Sequence, residues 1–283
     1  MASRTSPTER QKRLGYEVRK MRLAADITAE AAAGLLGVDR SRLSNIEQGS
    51  RAINESRLRT LAQACDCPDQ AYVEALAAMA GSAKRGWWER YRGLLPEGLL
   101  DIAELEAHAL RMRTAHSVHI PGILQTSDHA LAVFRVVVPA LPEHEVALRL
   151  AHRVERQQVL EGAGPPEYVG IVHEAALRMQ FGGRSVARAQ LDHLLSVSEN
   201  PHITLRVIPF KAGAFPGAGQ TVNYAEGPVP QLDTVQVDST HGPEFLYEED
   251  QLAKYRSHLD WMEGIALPPN ESRDFIHGIA RHL

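Results

Sequence analysis

The chain has 283 residues, with 31 Lys and Arg against 35 Asp and Glu, a net charge of −4 and 44% hydrophobic residues. That apolar share is enough to bury a core and excludes a disordered or collagen-like chain, and the length suits about two domains. No run reaches the roughly 20 uninterrupted apolar residues of a membrane helix, since the most apolar stretch, Leu131–Leu141, is broken by Arg135 and Pro139.

The charge is unevenly placed. Residues 1–60 hold twelve basic and seven acidic side chains, a balance of +5 that leaves −9 for the remainder. A basic first fifth on an acidic body fits an anion-binding module joined to a regulatory body.

Leu14, Val18, Met21 and Ala25 form one apolar stripe, which predicts a helix over Glu9–Ala25. Thr28 is a good N-cap for a second helix, Ala29–Leu36, and Gly37-Val38 makes a tight turn. Asp39 caps a third helix that runs to Gln48, and Gly49 ends it as a left-handed residue would. A fourth helix follows Asn54, and a fifth runs over Pro68–Ala80. Two short helices about a glycine turn outline a helix-turn-helix.

At roughly 100° per residue, the third helix turns Leu43 and Ile46 to one side. It turns Ser41, Ser44, Asn45 and Gln48 to the other, with Arg40 and Arg42 flanking that arc. Short polar side chains let a helix approach base edges, arginines reach guanine or phosphate, and the arc holds no acid to repel a backbone.

Residues 28–49, TAEAAAGLLGVDRSRLSNIEQG, resemble the helix-turn-helix of the lambda-repressor-like, XRE-type regulators. The resemblance lies in the Thr cap, the alanine-rich helix, Leu36-Gly37-Val38, the second cap, then Leu43, Ser44, Ile46, Glu47 and Gly49. It implies that Arg40, Ser41, Ser44 and Asn45 read bases and that Arg42 and Arg51 meet the backbone, with Thr28 at the first cap also in the DNA-binding set. It also implies a structural Glu47, tying the third helix to the loop after it. The family usually has Gln after the Thr, bonded to a phosphate, and Ala29 here removes that anchor.

Gly81–Gly86 is small and polar and reads as a linker, after which Trp87-Trp88 opens a second domain whose aromatic anchors include Trp261. Helical spacing covers Leu99–Met112. A turn at His119–Thr126 leads to a helix over Ser127–Val137, and a long helix spans Pro142–Leu160. Strand-like runs follow at Tyr168–His173, Ile203–Pro209, Thr221–Ala225, Thr234–Asp238 and Glu244–Tyr247. Helices over Glu248–Ile265 and Asn270–His282, the latter capped by Asn270, close the chain. The body resembles a domain of unassigned chemistry that follows XRE-type modules in many actinomycete regulators. The matching phrases are Trp87-Trp88, Pro121–Thr126, Arg153–Gln157, Glu174–Leu177, and Gln190-Leu191 with Leu194.

The predicted fold is therefore multidomain. An all-α five-helix lambda-repressor-like DNA-binding domain occupies residues 1–80, a linker 81–86, and a larger α+β regulatory and dimerisation domain 87–283. The expected function is a sequence-specific, cytoplasmic transcriptional regulator that binds double-stranded DNA as a homodimer, since one module covers few base pairs. For the body the resemblance implies an antitoxin-like role and a small partner protein encoded nearby, with a small ligand as the other input. An adaptor whose DNA binding is secondary is the alternative, and an enzyme with a metabolite-binding body is a third.

No enzyme, cofactor, metal or membrane role is expected. Cys65 and Cys67 are too few and too close for a disulfide scaffold or a zinc site, and the N-terminus lacks the apolar core of a secretory signal. The thirteen histidines read as scattered and partly exposed. Gly213–Gly219 lacks the ending of a phosphate loop and reads as a loop between strands. Arg149, Arg153 and Arg156 read as a solvated stripe paired with Glu145 and Glu155, with a second anion or acidic-partner site as the alternative.

Overall fold

A computed structural model describes residues 6–81, 86–162, 164–239 and 241–283. The chain forms two units, Met1–Glu89 with Pro228–Leu232, and Arg90–Gly227 with Asp233–Leu283. The linker expected over Gly81–Gly86 falls largely on 82–85, outside the described residues, and Trp87-Trp88 lie within the first unit.

The first unit carries five helices: α1 (Glu9–Ala24), α2 (Ala29–Leu35), α3 (Arg40–Glu47), α4 (Glu55–Ala64) and α5 (Gln70–Gly81). The first four start at a side chain able to satisfy orphan amides. Thr8 forms a capping box with Gln11, and Thr28, Asp39 and Asn54 accept from the amides of Ala31, Arg42 and Arg57. Val18, Leu43, Leu58, Leu61 and Leu76 are fully buried in one core.

The second unit holds α6 (Glu97–His108), β1 (Arg111–His116), α7 (Ser127–Arg135), α8 (Glu143–Gln157), β2 (Glu167–His173), α9 (Glu174–Arg178) and α10 (Arg184–Val197). Then come β3 (Ile203–Ile208), β4 (Val222–Glu226), β5 (Thr234–Ser239), β6 (Gly242–Leu246), α11 (Glu249–Ile265) and α12 (Pro269–His282). The strands make one mixed sheet in the order β3-β2-β1-β4-β5-β6. β1, β2 and β3 run parallel, so helices must carry the chain between them, and β4, β5 and β6 add antiparallel neighbours. The multidomain architecture, a helical head followed by a larger α+β body, is as expected.

Several local expectations are corrected. The helical spacing continues through Met112, but α6 ends at His108 and the next residues form β1, at the centre of the sheet. The strand is hard to read because two of its six residues are arginines, which a central strand tolerates only with partners. Arg111 pairs with Glu167 and Glu226, and Arg113 with Asp260 and Glu263. Two helices, α9 and α10, lie between β2 and β3, over a stretch to which the sequence pattern assigns no element. The cap of α12 is Pro268 rather than Asn270, with Pro269 in the first turn. Trp261, expected as an anchor, is 62% exposed. No helix among the described residues is long and apolar enough to cross a membrane.

Candidate nucleic-acid interface

The helix-turn-helix is built from α2, the turn at Gly37 and α3. Gly37 has φ +61°, which places the chain to re-enter a helix, and Asp39 then spends its carboxylate on the Arg42 amide at 2.7 Å. The acid nearest the start of α3 is thus committed to the backbone.

Leu43 and Ile46 are 0% and 2% exposed, which fixes the rotation of α3. Arg40, Ser41, Arg42 and Ser44 are consequently exposed, and Asn45 is half-buried. Ser50 Oγ donates to the Asn45 side-chain carbonyl at 3.2 Å and to its backbone carbonyl at 3.1 Å, leaving the Asn45 amide group as a donor. Gln48 donates to Ser44 Oγ at 3.4 Å. Arg51 is exposed just past the helix, its amide bonded to the Asn45 carbonyl at 3.1 Å. Thr28 is exposed at the start of α2, its hydroxyl accepting from Ala31.

Arg40, Arg42 and Arg51 form no ion pair among the described residues, whereas Arg22 and Arg59 of the same unit do. Three exposed cations without an ion-pair partner among the described residues are open to phosphate on the α3 side.

The close seating of α3 on α1 depends on absent side chains. A Cβ at Gly15 would lie 2.5 Å from the Ile46 carbonyl oxygen, and one at Gly49, where φ is +74°, would lie 2.6 Å from the Gln11 backbone. Among the described residues Glu47 makes no side-chain bond to the loop after α3. It pairs instead with Arg22 of α1, at 2.6 Å, with both side chains about nine-tenths buried. An acid at the end of a helix gives no sign in the sequence of which earlier helix it will reach.

In the body, Arg149 pairs with Glu145 as expected, but Arg153 and Arg156 do not form a solvated face. Both line a cavity of the body, Arg156 against buried Glu106 at 2.7 Å. His129 and His152 are each 1% exposed rather than surface residues. Among the described residues no group of three or more His, Cys, Asp or Glu side chains is placed to hold a metal ion.

Residues 99–278 match the family model described as a domain of unknown function, DUF5753, and residues 13–76 match one described as a helix-turn-helix domain. No curated protein and no solved structure matches the chain.

Proposed function

Because the chain belongs to the DUF5753 family and carries a helix-turn-helix domain near its N-terminus, we propose that this DNA-binding protein is a sequence-specific transcriptional regulator. One observation carries the reading. α3 turns Arg40, Ser41 and Ser44 outward beside Asn45, and Arg40, Arg42 and Arg51 have no acidic partner among the described residues. In this reading Arg40, Ser41, Ser44 and Asn45 contact base edges, where Arg suits guanine and Asn suits adenine. Arg42, Arg51 and the Thr28 hydroxyl contact the phosphate backbone and set the register.

One such head touches few base pairs and discriminates modestly, so the functional species is a homodimer that spans two half-sites about one helical turn apart. The body receives the signal. An effector there changes DNA affinity by the difference in its own affinity for the two arrangements of the dimer. A small protein partner on the body is a second reading, favoured by Val136, Val137 and Val138, which are 64%, 36% and 92% exposed in succession.

Genome-wide mapping of bound fragments tests this, with wild type and the Arg40→Ala/Asn45→Ala variant side by side. A shared motif of two half-sites that is lost in the variant is the expected outcome. Unchanged occupancy in the variant refutes the assignment of α3. Recovery of a stoichiometric small protein with no enriched fragment favours the adaptor.

A further inference from the structure

The six-stranded sheet of the body has two unlike faces. On one, Ala115, Val222, Tyr224, Val235 and Val237 meet Leu252, Leu259 and Met262 of α11 in an apolar core. On the other, the middle strands carry polar side chains where burial favours Val and Ile. Thr114 on β1 lies opposite Asn223 on β4, and Asn223 lies opposite Gln236 on β5. These three are only 3%, 7% and 3% exposed. On β2 the position paired with Thr114 is Gly170, where a Cβ would come within 2.9 Å of the Tyr168 ring. The bare backbone lets that ring lie across the strand, and the Tyr168 and Thr114 hydroxyls meet at 2.7 Å.

Above this polar row is a cavity of about 230 Å³, walled by α6, α8 and the turn at 120–123. A polar row in the middle of a sheet costs free energy unless it is used, and Asn223 is not satisfied. Its side-chain oxygen is buried with no hydrogen-bond partner among the described residues.

The wall carries two arginines, Arg153 and Arg156, and two acids, Glu106 and Asp238. Arg156 and Glu106 neutralise each other. Arg153 has no ion pair among the described residues; its guanidinium donates to the neutral Gln125 side chain at 2.6 Å and lies 4.8 Å from the Phe134 ring centre. Burial first, and Arg156 second, pull that guanidinium down to about 9, against the opposing pull of Glu106 and Asp238. His116 adds no charge, being held to about 3, by burial first.

The position of Arg153 is built. Gln125 donates to the Ile120 carbonyl at 2.8 Å, Gln157 donates to the Gln125 carbonyl at 2.5 Å, and Gln190 brackets the same turn through Leu124 and Thr126. The Pro121–Thr126, Arg153–Gln157 and Gln190 phrases of the sequence thus converge on one wall of this cavity.

We propose that the cavity binds a small organic carboxylic acid. Its carboxylate pairs with the Arg153 guanidinium, its hydroxyl or amine donates to the Asn223 side-chain oxygen, and its carbon skeleton lies against Ile102, Ile120 and Ile123. Arg153 is the cation of the wall without an ion pair among the described residues and calls for a carboxylate, while Glu106 and Asp238 on the same wall disfavour a second negative charge, so a monoanion suits the site better than a dianion. The apolar wall calls for carbon rather than a bare inorganic ion. The volume lies below the roughly 300–1,000 Å³ of drug-sized pockets and suits a metabolite of amino-acid size. This site supplies the ligand input of the function proposed above, and its test uses no DNA, so either can fail alone.

The test is calorimetric titration and thermal melting of the full chain with 4-hydroxybenzoate and 3-hydroxyhexanoate. The matching neutral amides and inorganic phosphate serve as comparators. Saturable binding of a carboxylate, with its amide weaker by about tenfold to a hundredfold, is expected because the amide cannot form the charge-assisted hydrogen bond. Arg153→Met should abolish that preference, and Arg153→Lys should keep part of it. The melting of both variants without ligand reports whether they fold. If neither carboxylate binds the folded wild type, or if acid and amide bind equally, the proposal falls. It falls equally if phosphate binds more tightly than both acids. If Arg153→Met fails to fold, Arg153→Lys and the acid-to-amide ratio decide.

Discussion

Arg22 of α1 and Glu47 of α3 are joined by two parallel hydrogen bonds, Nε to Oε1 at 2.6 Å and Nη2 to Oε2 at 3.2 Å, while the third nitrogen donates to the Ile27 carbonyl at 2.9 Å. The fork fixes the end of α3 against α1 and the start of the helix-turn-helix. It therefore helps decide which side chains α3 shows to solvent. Removing one partner strands a nearly buried charge, so Glu47→Gln should destabilise the first unit by about 3 kcal/mol. Arg22→Met combined with Glu47→Leu should recover most of that loss, because no unpaired charge remains. Melting curves of the single and double variants beside wild type check it, and equal destabilisation in both variants would contradict it.

Gly15→Ala should be harmful although alanine is the better helix former. The new methyl would meet the backbone carbonyls of Ile46 and Glu47 at 2.5 and 2.6 Å, and backbone cannot swing aside as a side chain can. Overpacking of this kind costs about 1–3 kcal/mol. Gly34→Ala is the matched control, since nothing lies within 4 Å of a Cβ there. That change should stabilise α2 slightly. Urea unfolding of the two variants should therefore shift in opposite directions.

The head is legible in the sequence because its signals are local. Thr28, Asp39 and Asn54 cap helices within three residues, and the spacing of Leu43 and Ile46 alone orients α3. The Arg22–Glu47 tie is not legible, because its partners lie 25 residues apart. The body is less legible for the same reason. β1 lacks an apolar alternation because Arg111 and Arg113 are satisfied by acids from distant elements. Arg153 and Arg156 share the spacing of a solvated stripe with Arg149, and only the sheet beneath them makes them cavity walls. The polar row Thr114–Asn223–Gln236 joins three strands, and no single segment of sequence announces it.

The two classes of DNA-facing side chain on the head should separate in their salt response. Arg40→Ala and Asn45→Ala should each weaken specific binding by about 1–3 kcal/mol and relax selectivity at one base position. Arg42→Ala and Arg51→Ala should weaken all sequences alike, and each should reduce the slope of log affinity against log salt by about 1, since one phosphate fewer is neutralised. Fluorescence anisotropy over a salt series, with specific and scrambled duplexes, distinguishes the two patterns. A uniform weakening in all four variants would assign the whole face to the phosphate backbone.

The body should lose stability in mild acid, and His129 should account for part of the loss. It is 1% exposed beside Phe181, and neither ring nitrogen has a hydrogen-bond partner among the described residues. Burial first, then His119 and Arg153, holds it down to about 4. In the unfolded chain the imidazole takes up its proton near its ordinary pKa of about 6.5. Between those two values the unfolded state binds more protons than the folded one, so stability must fall as pH falls through that window. His129→Phe keeps the ring and removes the proton site. Its melting temperature should drop less than that of wild type between pH about 6.5 and about 4, and parallel curves for the two proteins would show that His129 does not carry the effect.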